Sequence, residues 1–263
     1  EGDTIRQKAA LWILDNKIKK HLEEKPFFMS CYYAAYDETA HINGVYSREA
    51  IEDLEKIDAL VGELIEKAHE MTNNNVVVCV VSDHGTIDNK YDIKPNIIFV
   101  KNNLIEIDTN GKLINWDVWC QRSGGTGQIR LRDKENQEIK SKVEAVLKEL
   151  LEDENSGISE VITGEEAKEI RRGFPDADYV IISKPGYEVR EDTLGEYLDS
   201  NTAQKAQHGY CENLKDMRAS FYIEGINIEK NRDIEELRLV DIAPTLAKIM
   251  GFEILTCEGK NIL

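Results

Sequence analysis

Apolar residues recur at helical spacing over residues 4–22, where Ile5, Ala9, Ala10, Leu14 and Ile18 share one face before Lys25-Pro26 stops the pattern. The period then changes. Phe27 to Ala34 is a continuous apolar and aromatic run, as expected of a strand buried on both faces. A loop carrying Asp37 and His41 is predicted to follow. Ser47 is placed as the N-cap of the next helix, whose Ile51, Leu54, Ile57, Val61, Leu64, Ile65 and Ala68 form one stripe. Asn73-Asn74-Asn75 ends it, and Val76 to Val81 reads as a second buried strand running into Ser82-Asp83-His84-Gly85. Strand, helix, strand in this order predicts a right-handed crossover and a parallel sheet.

The middle of the chain has a different rhythm. Asn96 to Val100 and Gln128 to Arg132 read as strands, and Glu138 to Leu151 as an amphipathic helix. Ile158 to Ile162 is a short strand, Thr163 caps a helix over 165–172, and Asp178 to Ser183 is again strand-like. A strand is placed near Ser220 to Glu224. Val240-Asp241-Ile242-Ala243-Pro244-Thr245 opens the last helix, which Gly251 ends. The expected fold is α/β, with a mostly parallel sheet sandwiched between helices. Residues 1–103 and 178–263 form that core, and 104–177 an α+β cap insertion.

Composition narrows the function. A formal net charge of −17 argues against a nucleic-acid or anionic-membrane partner, since both require a basic footprint. An acidic protein that handles phosphate esters needs local positive charge, and metal ions supply it. Cys31, Cys79, Cys120, Cys211 and Cys257 are scattered, with no CxxC pair, so no zinc-finger or dense disulfide pattern emerges. Cys79 within an apolar strand favours a reducing compartment, and a cytoplasmic location is expected. No stretch reaches the length of a membrane span, and nothing resembles a signal peptide.

Candidate chemistry follows from topology. Asp37 and His41 come after the C-terminal end of one predicted parallel strand, and Asp83 and His84 after the next. Ligands of open α/β sheets bind beyond the carboxyl ends of the strands, so two carboxylate–imidazole pairs are expected at one sheet edge. Carboxylate and imidazole together are zinc ligands. His208, followed by Gly209, is a third candidate, whereas His21 and His69 read as surface positions on amphipathic helices. An isolated Asp-x-x-x-His is common in ordinary loops. Ser-Asp-His-Gly directly after six apolar residues carries more weight, because ionisable groups at a buried strand end need partners. Ser123-Gly124-Gly125-Thr126-Gly127 suggests a phosphate loop but lacks the Lys and the strand-to-helix context of one.

These residues resemble the alkaline phosphatase superfamily, in its type I phosphodiesterase/nucleotide pyrophosphatase branch. The resemblance rests on Tyr36-Asp37-Glu38-Thr39-Ala40-His41 with Gly44, on Ser82-Asp83-His84-Gly85, and on Gln207-His208-Gly209-Tyr210 with Met217 and Phe221. It continues through Asp241-Ile242-Ala243-Pro244-Thr245 with Gly251 and the Glu258-Gly259-Lys260 segment. It implies two divalent metal ions, zinc foremost: Asp37, His41 and His208 on one, Asp83 and His84 on the other. It implies a small-molecule phosphate ester or nucleotide as substrate, and hydrolysis of a phosphodiester or pyrophosphate bond. The family's nucleophilic Thr or Ser and a further metal-binding Asp are expected upstream of residue 1, in a larger parent, with the second metal site incomplete here. Related expectations are a phosphonate hydrolase, a phosphomonoesterase or a phosphomutase of the same superfamily, or a non-catalytic zinc-binding fragment.

Overall fold

The computed structural model describes residues 1–234 and 236–263. Its elements begin α1 (Gly2–Ile13), α2 (Ala35–Asn43), α3 (Arg48–Thr72), β1 (Val77–Val81), β2 (Ile87–Asp88), β3 (Tyr91–Ile93) and α4 (Pro95–Lys101). They continue β4 (Ile105–Ile107), β5 (Leu113–Trp116), β6 (Val118–Ser123), β7 (Thr126–Leu131), α5 (Gln137–Glu152), β8 (Ile158–Thr163) and α6 (Gly164–Glu169). The last are β9 (Tyr179–Ser183), β10 (Tyr187–Val189), β11 (Leu198–Asp199), β12 (Ala206–Gln207), β13 (Phe221–Gly225) and α7 (Ile242–Ile249). The chain divides into two units. One comprises Glu1–Glu38, Arg48–Gly85 and Ala219–Leu263, the other Thr39–Ser47 and Thr86–Arg218. No helix among the described residues is long and apolar enough to cross a membrane.

In the first unit α1 buries a face that hydrophobicity alone misses. Asp3, Gln7, Ala10 and Leu14 are buried, whereas Ile5 is 62% exposed. Gln7 explains why: its side-chain amide donates to the Leu60 carbonyl at 3.0 Å and to Glu63 at 2.7 Å, both on α3. Residues 25–34, which include the Phe27–Ala34 run expected to be a buried strand, have no regular structure, and Phe28 and Tyr32 lie in the open. Asp37 and His41 accordingly sit within α2 and not in a loop. The second expected strand exists as β1, but it pairs antiparallel with β13, from Val77 opposite Gly225 to Val81 opposite Phe221. Val80 and Val81 are exposed, so β1 is not buried on both faces, and the inferred parallel crossover is absent among the described residues.

The second unit holds most of the apolar core. Strands β6, β7, β9 and β8 form, in that order, an antiparallel four-stranded sheet. Val143, Val146, Leu147 and Leu150 of α5 are buried together with Val118, Ile129 and Ile181 of the sheet. Helix α5 starts where the Asn136 side chain accepts from the Ile139 N–H, the N-cap that its sequence calls for. Thr163 likewise caps α6 by accepting from Glu166 N–H. The expected strand at 96–100 is instead α4, with Pro95 in its first turn, a position where the missing N–H costs nothing. Buried Asn96 then treats β6 as a neighbouring strand would, donating to the Cys120 carbonyl at 3.0 Å and accepting its N–H at 2.8 Å. Strands β3 and β10 are the one parallel pair among the described residues, so the sheets are small and a large parallel sandwich is not formed.

The C-terminal signature has a structural explanation. Buried Asp241 receives the Arg238 guanidinium and the Lys260 N–H on one oxygen, each at 2.9 Å, and the Arg238 N–H on the other at 3.1 Å. Gly259 passes against the Val240 carbonyl where any Cβ would collide. Thr245 accepts from the Ile262 N–H, so the tail is tied to α7 from two sides. The hydrogen bond from Arg238, reinforced by the backbone donors, holds the Asp241 carboxyl at about 2, below its ordinary 3.8. A lowered carboxylate pKa stabilises the fold above the unfolded value and ceases to do so as pH falls through the folded one. Asp241→Asn is therefore expected to lower the unfolding midpoint in urea above about pH 4, the gap closing toward pH 2.

Candidate metal centre

In the second unit, β12 pairs antiparallel with β2, Ala206 opposite Asp88 and Gln207 opposite Ile87. This short ladder positions two of the five predicted ligands. The Lys205 N–H donates to the His41 carbonyl at 2.7 Å, and His41 Nδ1 lies 2.7 Å from the Ala206 carbonyl. A carbonyl only accepts, so the ring donates from Nδ1 and directs its lone pair to Nε2. Metal-binding histidines are commonly oriented in this way. The next residue after β12 is His208, whose ring lies 5.2 Å from that of His41, tilted at 55°.

The Ser123–Gly127 segment turns out to be a support for His208. It is the hairpin turn between β6 and β7, and Gly125 N–H donates to the His208 carbonyl at 2.9 Å. Gly124 has φ +66°, and a Cβ there would run into the His208 carbonyl. Gly209, at φ +75°, faces the Ser123 carbonyl, which a Cβ there would meet at 2.7 Å. A Cβ on Gly125 would meet the Tyr210 ring. The two backbones can approach this closely only because three glycines meet there. The glycine cluster was the sequence signal for this support, although the sequence suggested for it only a phosphate loop whose Lys and strand-to-helix context are lacking.

The first unit contributes the other three predicted ligands. Asp37 lies in the first turn of α2, and it and His84 each offer a ligand atom within 4.8 Å of the other. Asp83 is turned onto its neighbour, accepting the His84 N–H at 3.1 Å, with its other oxygen 3.5 Å from His84 Nε2. His84 Nδ1 faces the Gly85 carbonyl at 3.1 Å and donates to it, which leaves the Nε2 lone pair toward a carboxylate. Lone pair and carboxylate repel unless a cation or proton lies between them, so this arrangement fits a metal ion. The candidate donors are two imidazoles in the second unit and an imidazole with two carboxylates in the first, without thiolate, a set suited to zinc.

The sequence pattern of the family "Type I phosphodiesterase / nucleotide pyrophosphatase" matches residues 2–211. Among solved structures, human ectonucleotide pyrophosphatase/phosphodiesterase 5 is similar, with a TM-score of 0.63 at 17% identity over 85% of this chain. The murine protein, in an inactive form in complex with AMP, gives 0.63 at 18% identity over 85% of this chain. Wild-type alkaline phosphatase PafA gives 0.58 at 16% identity over 87%. These likenesses establish an alkaline-phosphatase-like fold. The chain covers 54% of the human and murine proteins and 46% of PafA, so it spans about half their length. No curated protein matches the sequence.

The glycine support makes a prediction. An Ala at position 124 must hold a left-handed conformation at about 1–2 kcal/mol before its collision with His208 is counted. Gly124→Ala is therefore expected to lower the urea unfolding midpoint and to shift the His208 ring resonances. Gly173, with nothing within 4 Å of an added Cβ, is the control: Gly173→Ala should leave both nearly unchanged.

Proposed function

The chain belongs to the type I phosphodiesterase/nucleotide pyrophosphatase family, and from that premise we propose that it serves the metal-dependent hydrolysis of phosphodiester or pyrophosphate bonds. In this reading Asp37, His41 and His208 hold one divalent ion, and Asp83 and His84 hold a second, zinc being the metal the donor set suits. The observation that carries it is the His41 ring, fixed through Nδ1 to Ala206 with His208 alongside. A histidine held only for packing does not require a second imidazole at its face. The substrate is a small phosphate ester or a nucleotide, in keeping with the murine relative that is in complex with AMP.

Divalent ions held by Asp37, His41 and His208 and by Asp83 and His84 would supply positive charge to the phosphoryl oxygens of a bound ester. The protein's own share is to keep the donors in place before the ions arrive. Ala206 fixes the His41 tautomer, the β6–β7 turn fixes the His208 backbone, and Gly85 fixes the His84 ring. With a net charge of −17, the chain has no general attraction for anionic esters, so the positive charge must be local. No residue of this chain is assigned the nucleophile's part.

Zinc per chain, after dialysis against a mild chelator, tests the reading. At least one firmly held zinc is expected, lost or weakened by His41→Ala and by His208→Ala while the far-ultraviolet circular dichroism stays unchanged. Asp83→Ala is expected to leave that zinc and affect only the other site. Unchanged zinc in all three variants would sink the assignment. Hydrolysis of bis(4-nitrophenyl) phosphate in preference to 4-nitrophenyl phosphate supports a diesterase, and the reverse preference a phosphomonoesterase.

A further inference from the structure

The ligand Asp37 reaches its place through ten residues, 25–34, that have no helix or strand of their own. Something outside this segment must therefore decide where α2 begins. The side chain that does so is Asp3, at the far N-terminal end of α1. It is 6% exposed, and one carboxylate oxygen accepts from the Ala34 N–H at 3.0 Å and from Arg6 at 2.6 Å. The other accepts from the Ala35 N–H at 2.9 Å and lies 3.2 Å from the Ala34 N–H. These are donors at the start of α2 that no helical carbonyl can satisfy. A carboxylate there also opposes the positive end of the helix dipole.

One turn further along α1, Gln7 accepts from the Tyr33 hydroxyl at 2.6 Å and donates to α3, so α1 grips the irregular segment at two points one turn apart. Helix α3 leads directly into β1, and β1 into Asp83 and His84. The frame that fixes the first turn of α2 therefore also carries the partner carboxylate–imidazole pair. Asp3 touches no metal ligand itself. Its hydrogen bonds fix the axial position and rotation of the turn that holds Asp37.

We propose that Asp3 is a positioning residue for the metal centre, its buried carboxylate anchoring the first turn of α2 so that Asp37 is presented to the ion. This rests on the reading of Asp37 as a metal ligand. Removing an outer-shell partner of a ligand typically costs about 10–100-fold in metal affinity. Asp3 acts on Asp37 through the backbone, and a loss in that range is expected.

The test measures zinc affinity by chelator competition on the whole chain, with the visible absorption of the cobalt-loaded chain as the report on coordination geometry. Asp3→Ala is expected to weaken zinc about 10–100-fold and to change the cobalt spectrum. Asp3→Asn, which keeps one acceptor for the Ala35 N–H, is expected to recover part of both. A merely structural role would lower the melting temperature and leave affinity and spectrum at their unaltered values, and that result overturns the proposal. Should Asp3→Ala fail to fold, Asp3→Asn decides, an unchanged cobalt spectrum counting against it. Asp37→Ala separates the two readings. If it abolishes zinc binding while Asp3→Ala does not, only the positioning role falls. If the unaltered chain binds no zinc, or Asp37→Ala binds it normally, the metal-centre reading falls and takes this one with it.

Discussion

Two residues of β-ladder, Ala206 and Gln207 against Ile87 and Asp88, are the constraint on which the histidine pair depends. A ladder this short has little stability of its own. It persists because both β12 residues are buried, and losing a partner there would strand polar groups away from water at about 1–3 kcal/mol each. Everything that defines the pair hangs on it. The Lys205 N–H and the Ala206 carbonyl grip the backbone and ring of His41, while the Gln207 side chain accepts the His208 N–H at 3.0 Å. The histidine pair is thus held largely by one short strand and its flanking residues, with the β6–β7 turn as a second support for His208.

The same logic of buried polar groups explains which parts of the fold were legible in the sequence. Helix α5 and strand β9 announced themselves, because their apolar residues are the ones they bury; α3 was legible as a helix from its stripe, although Ile51 and Leu54 of that stripe are exposed. Helix α1 was foreseen as a helix and its face only in part: Ala10 and Leu14 are buried as expected, but Ile5 is exposed and Asp3 and Gln7 are buried in its place. Its packing is decided by Gln7 and Asp3, whose hydrogen bonds outweigh the exposure of Ile5. The run from Phe27 to Ala34 failed for a related reason. Apolar content says a segment is worth burying, but a strand also needs a neighbour for its N–H and carbonyl groups, and composition cannot reveal whether one exists. At 96–100 the apolar run hid a helix whose marker, Pro95, was present in the sequence.

The candidate ligands were legible as residue types at the ends of elements; the His41 and His208 rings lie side by side, and Asp37 and His84 offer ligand atoms within reach of each other. Their supports were harder to see. Ala206 acts through its carbonyl, which every residue possesses, so no side-chain pattern could mark it. The glycines at 124, 125 and 209 were visible, but a glycine cluster signals only close approach, to a ligand or to another stretch of backbone. Here it was backbone. Likewise, the Asp241 and Gly259 signatures read as family identity in the sequence, whereas the structure makes them fastenings of the tail.

The contact between His41 and Ala206 joins residues 165 positions apart. At a synthesis rate of about 5–20 residues per second, His41 leaves the ribosome about 8–33 seconds before the carbonyl that orients it. Within that interval the β6–β7 turn and the strands around it emerge and close over short spans, at little entropic cost. The nascent chain therefore builds the seat for His208 before either imidazole can be set. His41 meets the carbonyl that orients its ring only after the hairpin that supports His208 has had time to form.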